Sequence, residues 1–138
     1  MAWNKPLPDV THNMLPFYES LRSHKLKLLR CKTCDAWYWP AAYCRDHNTE
    51  PYGGNMQWVE TSGKGKVFVF SIHYWNFDPA FKDDVPYVLA LVETKEGPLI
   101  PTSITGCDPK EVHIGMPVQV VFEDIDEQFT LPRFEPIR

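Results

Sequence analysis

Nowhere does the chain hold the roughly 20 consecutive apolar residues that a membrane-spanning helix needs, so no transmembrane segment is expected. The opening MAWNKPLPDV lacks the apolar core of a secretory signal, which points to a cytoplasmic protein. Internal repeats and low-complexity stretches are missing, which excludes solenoids and arrays. Cysteine is scarce: there are four, and in a reducing compartment thiols favour metal over disulfides. An excess of positive charge is missing too. Residues 1–60 carry seven basic and six acidic side chains, and residues 61–138 seven and twelve, for a net charge of −4. Sequence-independent nucleic-acid binding is driven by neutralising phosphates, so this balance makes it an unlikely role. What is present is enough for one real core: 138 residues with 43% hydrophobic side chains.

The scarce cysteines are concentrated. Cys31, Cys34 and Cys44 fall within 14 residues, and with His47 they read C-x2-C, nine residues, C-x2-H. Zinc takes four thiolate or imidazole ligands in a tetrahedron, and two close pairs on tight turns supply them with little chain strain. One structural zinc per chain is therefore expected on Cys31, Cys34, Cys44 and His47. A site closed by four protein ligands leaves no position for substrate, so the metal would hold the fold. Rubredoxin-like electron transfer needs four thiolates, and His47 breaks that set. Cys107 has no partner and reads as a packed thiol in a loop.

The organisation is mainly β. Residues 1–24 read as an extended arm with Pro6 and Pro8, followed by a helix from about Asn13 to His24. In that helix Pro16 suits the first turn, and Phe17 and Leu21 share a face. Residues 25–56 read as a zinc ribbon, with an alternating Lys25–Arg30 strand before the first cysteine pair and Trp37, Tyr38, Trp39 and Pro40 between the knuckles. Residues 48–56, with Pro51, Gly53 and Gly54, read as a linker. Five strands are expected in 57–138, at Gln57–Thr61, Lys66–Trp75, Pro86–Glu93, Leu99–Thr105 and Pro117–Glu123. Five short strands with glycine at the turns suit a small closed Greek-key barrel such as an OB-fold. Pro86–Glu93 is apolar on both faces, which calls for something to cover the barrel.

Candidate chemistry is thin. Cys107 in T-G-C-D has His113 six residues on but no nucleophile elbow and no helix start, so nothing activates the thiol. His73 lies on a strand and reads as a hydrogen-bonded histidine. The carboxylates Glu123, Asp124, Asp126 and Glu127 read as a solvated loop. The chain is expected to be non-catalytic by itself. Trp75, Phe77 and Phe81 leave a strand and enter a loop, where they suit a partner-facing anchor. Arg133 and Phe134, in the tail, are a second candidate of this kind. The basic stretch Arg22, Lys25, Lys27, Arg30 and Lys32 suits a solvated face, a phosphorylated cofactor or an acidic partner. A competing class is a zinc-ribbon/OB-fold nucleic-acid protein using Trp37, Tyr38, Trp39, Phe68 and Phe70 as stacking platforms.

The ordered set F-Y-E-S-L, H-K-L-K-L-L-R-C-K-T-C, W-P, S-G-K-G-K-V, P-Y-V-L-A-L-V-E, G-P-L-I, H-I-G-M-P-V-Q-V-V-F and L-P-R-F-E-P resembles the DUF35 family, from about Leu15 to Pro136. Two departures stand out: His47 where the family often has cysteine, and Asp35 where it often has glycine. The resemblance implies an OB-fold with a rubredoxin-like zinc ribbon. It also implies a non-catalytic accessory subunit of a thiolase-like enzyme, either a β-ketoacyl-CoA thiolase or a lipid-transfer-type aldolase. Such a subunit completes the acyl-CoA cleft of its partner. A 2:2 heterotetramer is the closed twofold arrangement expected with such a partner. Arg30, Lys32, Lys64 and Lys66 would then face the phosphates of CoA at the shared cleft.

Overall fold

The computed structural model describes residues 3–48 and 54–138. Pro51 and Gly53 of the expected linker lie outside the described residues. One helix, α1 (Leu15–Arg22), follows a 3-10 turn at His12–Met14 and carries Pro16 in its first turn. Among the described residues eight strands follow: β1 (Lys27–Cys31), β2 (Trp37–Tyr38), β3 (Met56–Glu60), β4 (Lys64–His73), β5 (Tyr87–Thr94), β6 (Leu99–Ile104), β7 (Pro117–Asp124) and β8 (Thr130–Pro136). They form a three-stranded sheet in the order β2-β1-β3 and a closed barrel in the order β4-β5-β6-β8-β7. The fold is thus mainly β, with an N-terminal helix, a ribbon and a five-stranded barrel of OB-fold order.

Two strand expectations change. Gln57–Thr61 does not enter the barrel: β3 pairs antiparallel with β1, from Lys27 opposite Glu60 to Cys31 opposite Met56. The fifth barrel strand is instead β8, in the segment read as a tail. It runs antiparallel to β7 from Val118–Pro136 to Asp124–Thr130 and meets β6 in parallel at Ile104–Phe134. Its Pro132 and Pro136 carry no N–H, and the nearly complete ladder to β7 tolerates them because β8 has only this one pairing with β6.

Backbone geometry explains two glycines. At Gly65, a Cβ would stand 2.5 Å from the Glu93 carbonyl oxygen of the paired strand. Gly63 has φ +73°, and a Cβ there would stand 2.7 Å from Val120 Cγ1. Both let β4 start close against its neighbours.

One hydrophobic cluster joins ribbon and barrel: Phe17, Leu21, Leu26 and Leu28 pack with Val67, Val92, Ile100, Val118 and Phe134. The helix acts as mortar. Phe17 lies 5.7 Å from Trp39 and 6.2 Å from Trp58 of the ribbon, while Tyr18 meets Phe129 of the barrel edge-on at 6.2 Å. Beyond the helix His24 stacks on Phe122 at 5.1 Å and reaches Asp124 at 3.0 Å. Among the described residues no helix is long and apolar enough to cross a membrane.

Candidate functional site

The metal ligands come from two knuckles. The first follows β1: Cys31 ends the strand, its N–H bonds the Ala36 carbonyl at 2.8 Å, and the Asp35 N–H bonds the Cys31 carbonyl at 2.9 Å. This tight turn places Asp35 at φ 62°, in the left-handed region that glycine enters freely and aspartate tolerates. The departure from glycine thus leaves the turn intact, and Asp35 gains an ion pair with Arg30 at 2.9 Å.

At the second knuckle Cys44 is buried and His47 half-buried. One ligand atom from each of Cys31, Cys34, Cys44 and His47 lies within 4.8 Å of every other. Cys34 Sγ is 3.6 Å from Cys44 Sγ, and His47 Nδ1 is 3.8 Å from Cys31 Sγ and 3.6 Å from Cys44 Sγ. Tetrahedral zinc with ordinary bond lengths separates two sulfurs by about 3.8 Å and sulfur from nitrogen by about 3.6 Å. The donor set therefore fits that ion, with imidazole as the fourth ligand.

Two residues that the spacing did not single out support the sulfurs. The Tyr38 hydroxyl donates to Cys44 Sγ at 3.5 Å and accepts from the Arg45 N–H at 3.1 Å. That donor, helped by the Asp46 N–H, His47 and Cys34, outweighs desolvation and lowers the Cys44 thiol to about 6. Asn55 Nδ2 donates to Cys31 Sγ at 3.4 Å and to Thr33 Oγ1 at 2.8 Å, bracing the first knuckle from the start of β3. Tyr38 is visible in the sequence as one aromatic among three. Asn55 is separated from Cys31 by 24 positions and carries no local signal.

The other candidate residues are scattered. Arg30 is held by Asp35 and lies 5.7 Å over the Trp37 ring, and Lys66 pairs with Glu93 at 3.3 Å. Lys32 and Lys64 are exposed. Trp75 and Phe77 are strongly exposed, at 70% and 88%. Phe81 is not: it folds back against Tyr87, ring centroids 6.0 Å apart, which removes it as a free anchor. Phe134 is fully buried in the barrel, so it has no surface to offer a partner. Its neighbour Arg133 is turned to Glu123 at 3.1 Å. Of the stacking platforms, Trp37 lies beneath Arg30 and Trp39 against Phe17, whereas Phe68 is exposed.

The outer face of β4, β5 and β6 is apolar as well. Val88, Ala90 and Val92 point inward, whereas Leu89 stays 45% exposed beside Val69 at 44%. With Leu91 and Pro101 they line an open, mostly apolar groove of ≈ 310 Å³. The two-faced apolarity of Pro86–Glu93 was its signal: one face fills the barrel and the other is uncovered.

Comparison with known proteins matches this geometry. Residues 19–50 match the rubredoxin-like zinc ribbon domain of ChsH2, and residues 58–123 its C-terminal OB-fold domain. A DUF35 domain-containing scaffold protein of Methanocaldococcus jannaschii is 38% identical over 104 residues, covering 72% of this chain and 68% of that protein. The chain belongs to the DUF35 family. The four-ligand cluster of this DUF35 protein is accordingly a structural zinc site, one per chain. A solved chain described as "Ltp2-ChsH2(DUF35) aldolase" superposes with a TM-score of 0.80 at 30% identity, covering 94% of this chain and 98% of that one. A probable enoyl-CoA hydratase alpha subunit of Thermomonospora curvata is 32% identical over 134 residues, 96% of this chain. The DUF35 chain spans only 40% of the length of that relative.

Proposed function

We propose that this DUF35 protein is a non-catalytic accessory subunit that seats on a thiolase-like enzyme, a β-ketoacyl-CoA thiolase or a lipid-transfer-type aldolase. The observation that carries this reading is the uncovered apolar face of β4–β6, together with exposed Trp75 and Phe77, on a chain similar over its length to one of a solved "Ltp2-ChsH2(DUF35) aldolase". An apolar patch of this kind marks an interaction site on a protein that must stay in solution. Covering it with the partner would complete the acyl-CoA cleft, exclude water from it and hold the thioester in place.

The side chains favour a supporting role over a chemical one. Burial pushes the Cys107 thiol up, with Glu111 adding to the effect, so it rests as a protonated thiol instead of a nucleophile. The zinc has four protein ligands and serves the fold. Exposed Lys32 and Lys64, with Arg30 and Lys66 beside them in surface ion pairs, are the candidate ligands for the CoA phosphates. In a 2:2 assembly each protomer of a twofold partner would carry one DUF35 chain.

The test is co-expression with a thiolase-like protein, followed by assay of the purified species on acyl-CoA thioesters. The complex should turn over substrate and the isolated DUF35 chain should not. Thiolytic or aldol activity of the isolated chain that vanished in Cys107→Ala would contradict the reading. Replacing Arg30 and Lys32 with alanine should raise the KM of the complex for the CoA substrate, and an unchanged KM would return both to ordinary surface.

A further inference from the structure

Away from the metal centre, the segment before the helix is fastened to the barrel by one lysine. Lys5 Nζ lies 5.0 Å from the Trp3 ring centroid and 5.5 Å from that of Phe81, and 3.0 Å from Asp84 Oδ2. Only 17% of the Lys5 side chain is exposed. Trp3 is drawn in although its indole N–H finds no acceptor there. That burial is unfavourable alone, so the ammonium between the two rings is what holds it. Trp3 and Lys5 form one wall of a cavity of ≈ 360 Å³, and Phe81, Asp84 and Tyr87 form part of the other.

The fastening continues into the barrel. Phe81 leans on Tyr87, and Tyr87 stacks on His73 at 5.0 Å with the rings 9° from parallel. His73 Nε2 is in turn 2.9 Å from Ser71 Oγ on β4. Local structure in the loop is slight by comparison. A single 3-10 turn at Pro79–Phe81 is capped by Asp78, which accepts from the Ala80 N–H at 2.8 Å. The exposed Trp75 and Phe77 leave β4 immediately before that turn.

We propose that residues 3–5 are a clamp and that Lys5 is its positioning residue, fixing the 74–86 loop so that Trp75 and Phe77 stand ordered before any partner arrives. The benefit to partner binding rests on the accessory-subunit reading above, whereas the clamp itself does not. A loop ordered in advance spares the complex the entropy of ordering it on contact.

The experiment is amide hydrogen exchange on the full-length, zinc-loaded protein without partner, read at Phe81, Lys82 and Asp84, whose N–H groups are bonded within the turn. Lys5→Met keeps the aliphatic stem and removes the charge. It should speed exchange at these amides by about tenfold, as should Asp84→Asn to a lesser degree. Lys5→Arg keeps both the ion pair and the aromatic contacts and should exchange near the wild-type rate. Wild-type exchange in Lys5→Met, or equal acceleration in Lys5→Met and Lys5→Arg, would overturn the clamp. If Lys5→Met frees the loop but leaves affinity for the thiolase-like partner unchanged, the docking role of the loop fails while the clamp stands.

Discussion

His47 supplies nitrogen where a fourth sulfur would complete a thiolate cage, and Tyr38 stabilises the thiolate beside it. Zinc holding both knuckles contributes on the order of 10 kcal/mol to folding in such sites, so His47→Ala should lose zinc and tertiary structure together. Metal analysis of the purified variant checks this. Because the Tyr38 hydroxyl is the largest influence lowering Cys44, Tyr38→Phe raises that thiol. Protons then compete with the metal at higher pH, and zinc release should begin at a higher pH than in the wild type, as followed with a chromophoric chelator. At this scale the ligands were legible because chelation imposes a spacing that packing does not. Tyr38 and Asn55 were not, since a hydrogen bond to sulfur from another strand leaves no periodic trace. The resemblance flagged Asp35 as a departure, but only the backbone showed that its left-handed φ is kept.

Among the elements, α1 and β8 carry the most consequence for the least sequence signal. The short helix is stable only because Phe17 and Leu21 enter the shared core, as their spacing implied. Phe17→Ala should cost about 3–5 kcal/mol in urea unfolding, and Phe134→Ala a similar amount, in keeping with aromatic side chains removed from a core. Loss of partner affinity by Phe134→Ala with unchanged stability would contradict the buried placement. β8 carries little strand signal because Pro132 and Pro136 normally argue against a barrel strand. β3 leaves the barrel unannounced because five alternating residues do not say which strand they pair with; only the register with β1 does.

The end of α1 is tied to β7 through His24 and Asp124. Asp124 is held below its ordinary value chiefly by the Thr130 hydroxyl and then by His24. A lowered carboxylate stabilises the fold above its ordinary range and loses that contribution as pH falls through the lowered value. Asp124→Asn should therefore narrow the stability difference between neutral and acid pH, measured by urea unfolding at each pH.

For the whole molecule, the barrel, the ribbon and their order along the chain were visible in glycine punctuation, β-branched runs and the cysteine pairs. The exposed apolar face of β4–β6 was visible only as an unexplained excess of apolar residues in Pro86–Glu93, because a sequence does not show which of two apolar faces is inside. The structure leaves Trp75 and Phe77 exposed, while Phe81 and Phe134 pack inward. Trp75→Ala and Phe77→Ala should each weaken association with the thiolase-like partner by about 1–3 kcal/mol and leave zinc content unchanged. Phe81→Ala should act indirectly, by loosening the loop.

The most direct test of the central claim is sedimentation of the 16.0 kDa chain mixed with a thiolase-like partner protein. The account predicts a single species with the mass of a 2:2 complex, and dissociation when Leu89→Glu places a charge in the β4–β6 groove. Independent sedimentation of the two proteins, or a complex indifferent to Leu89→Glu, Trp75→Ala and Phe77→Ala together, would contradict it.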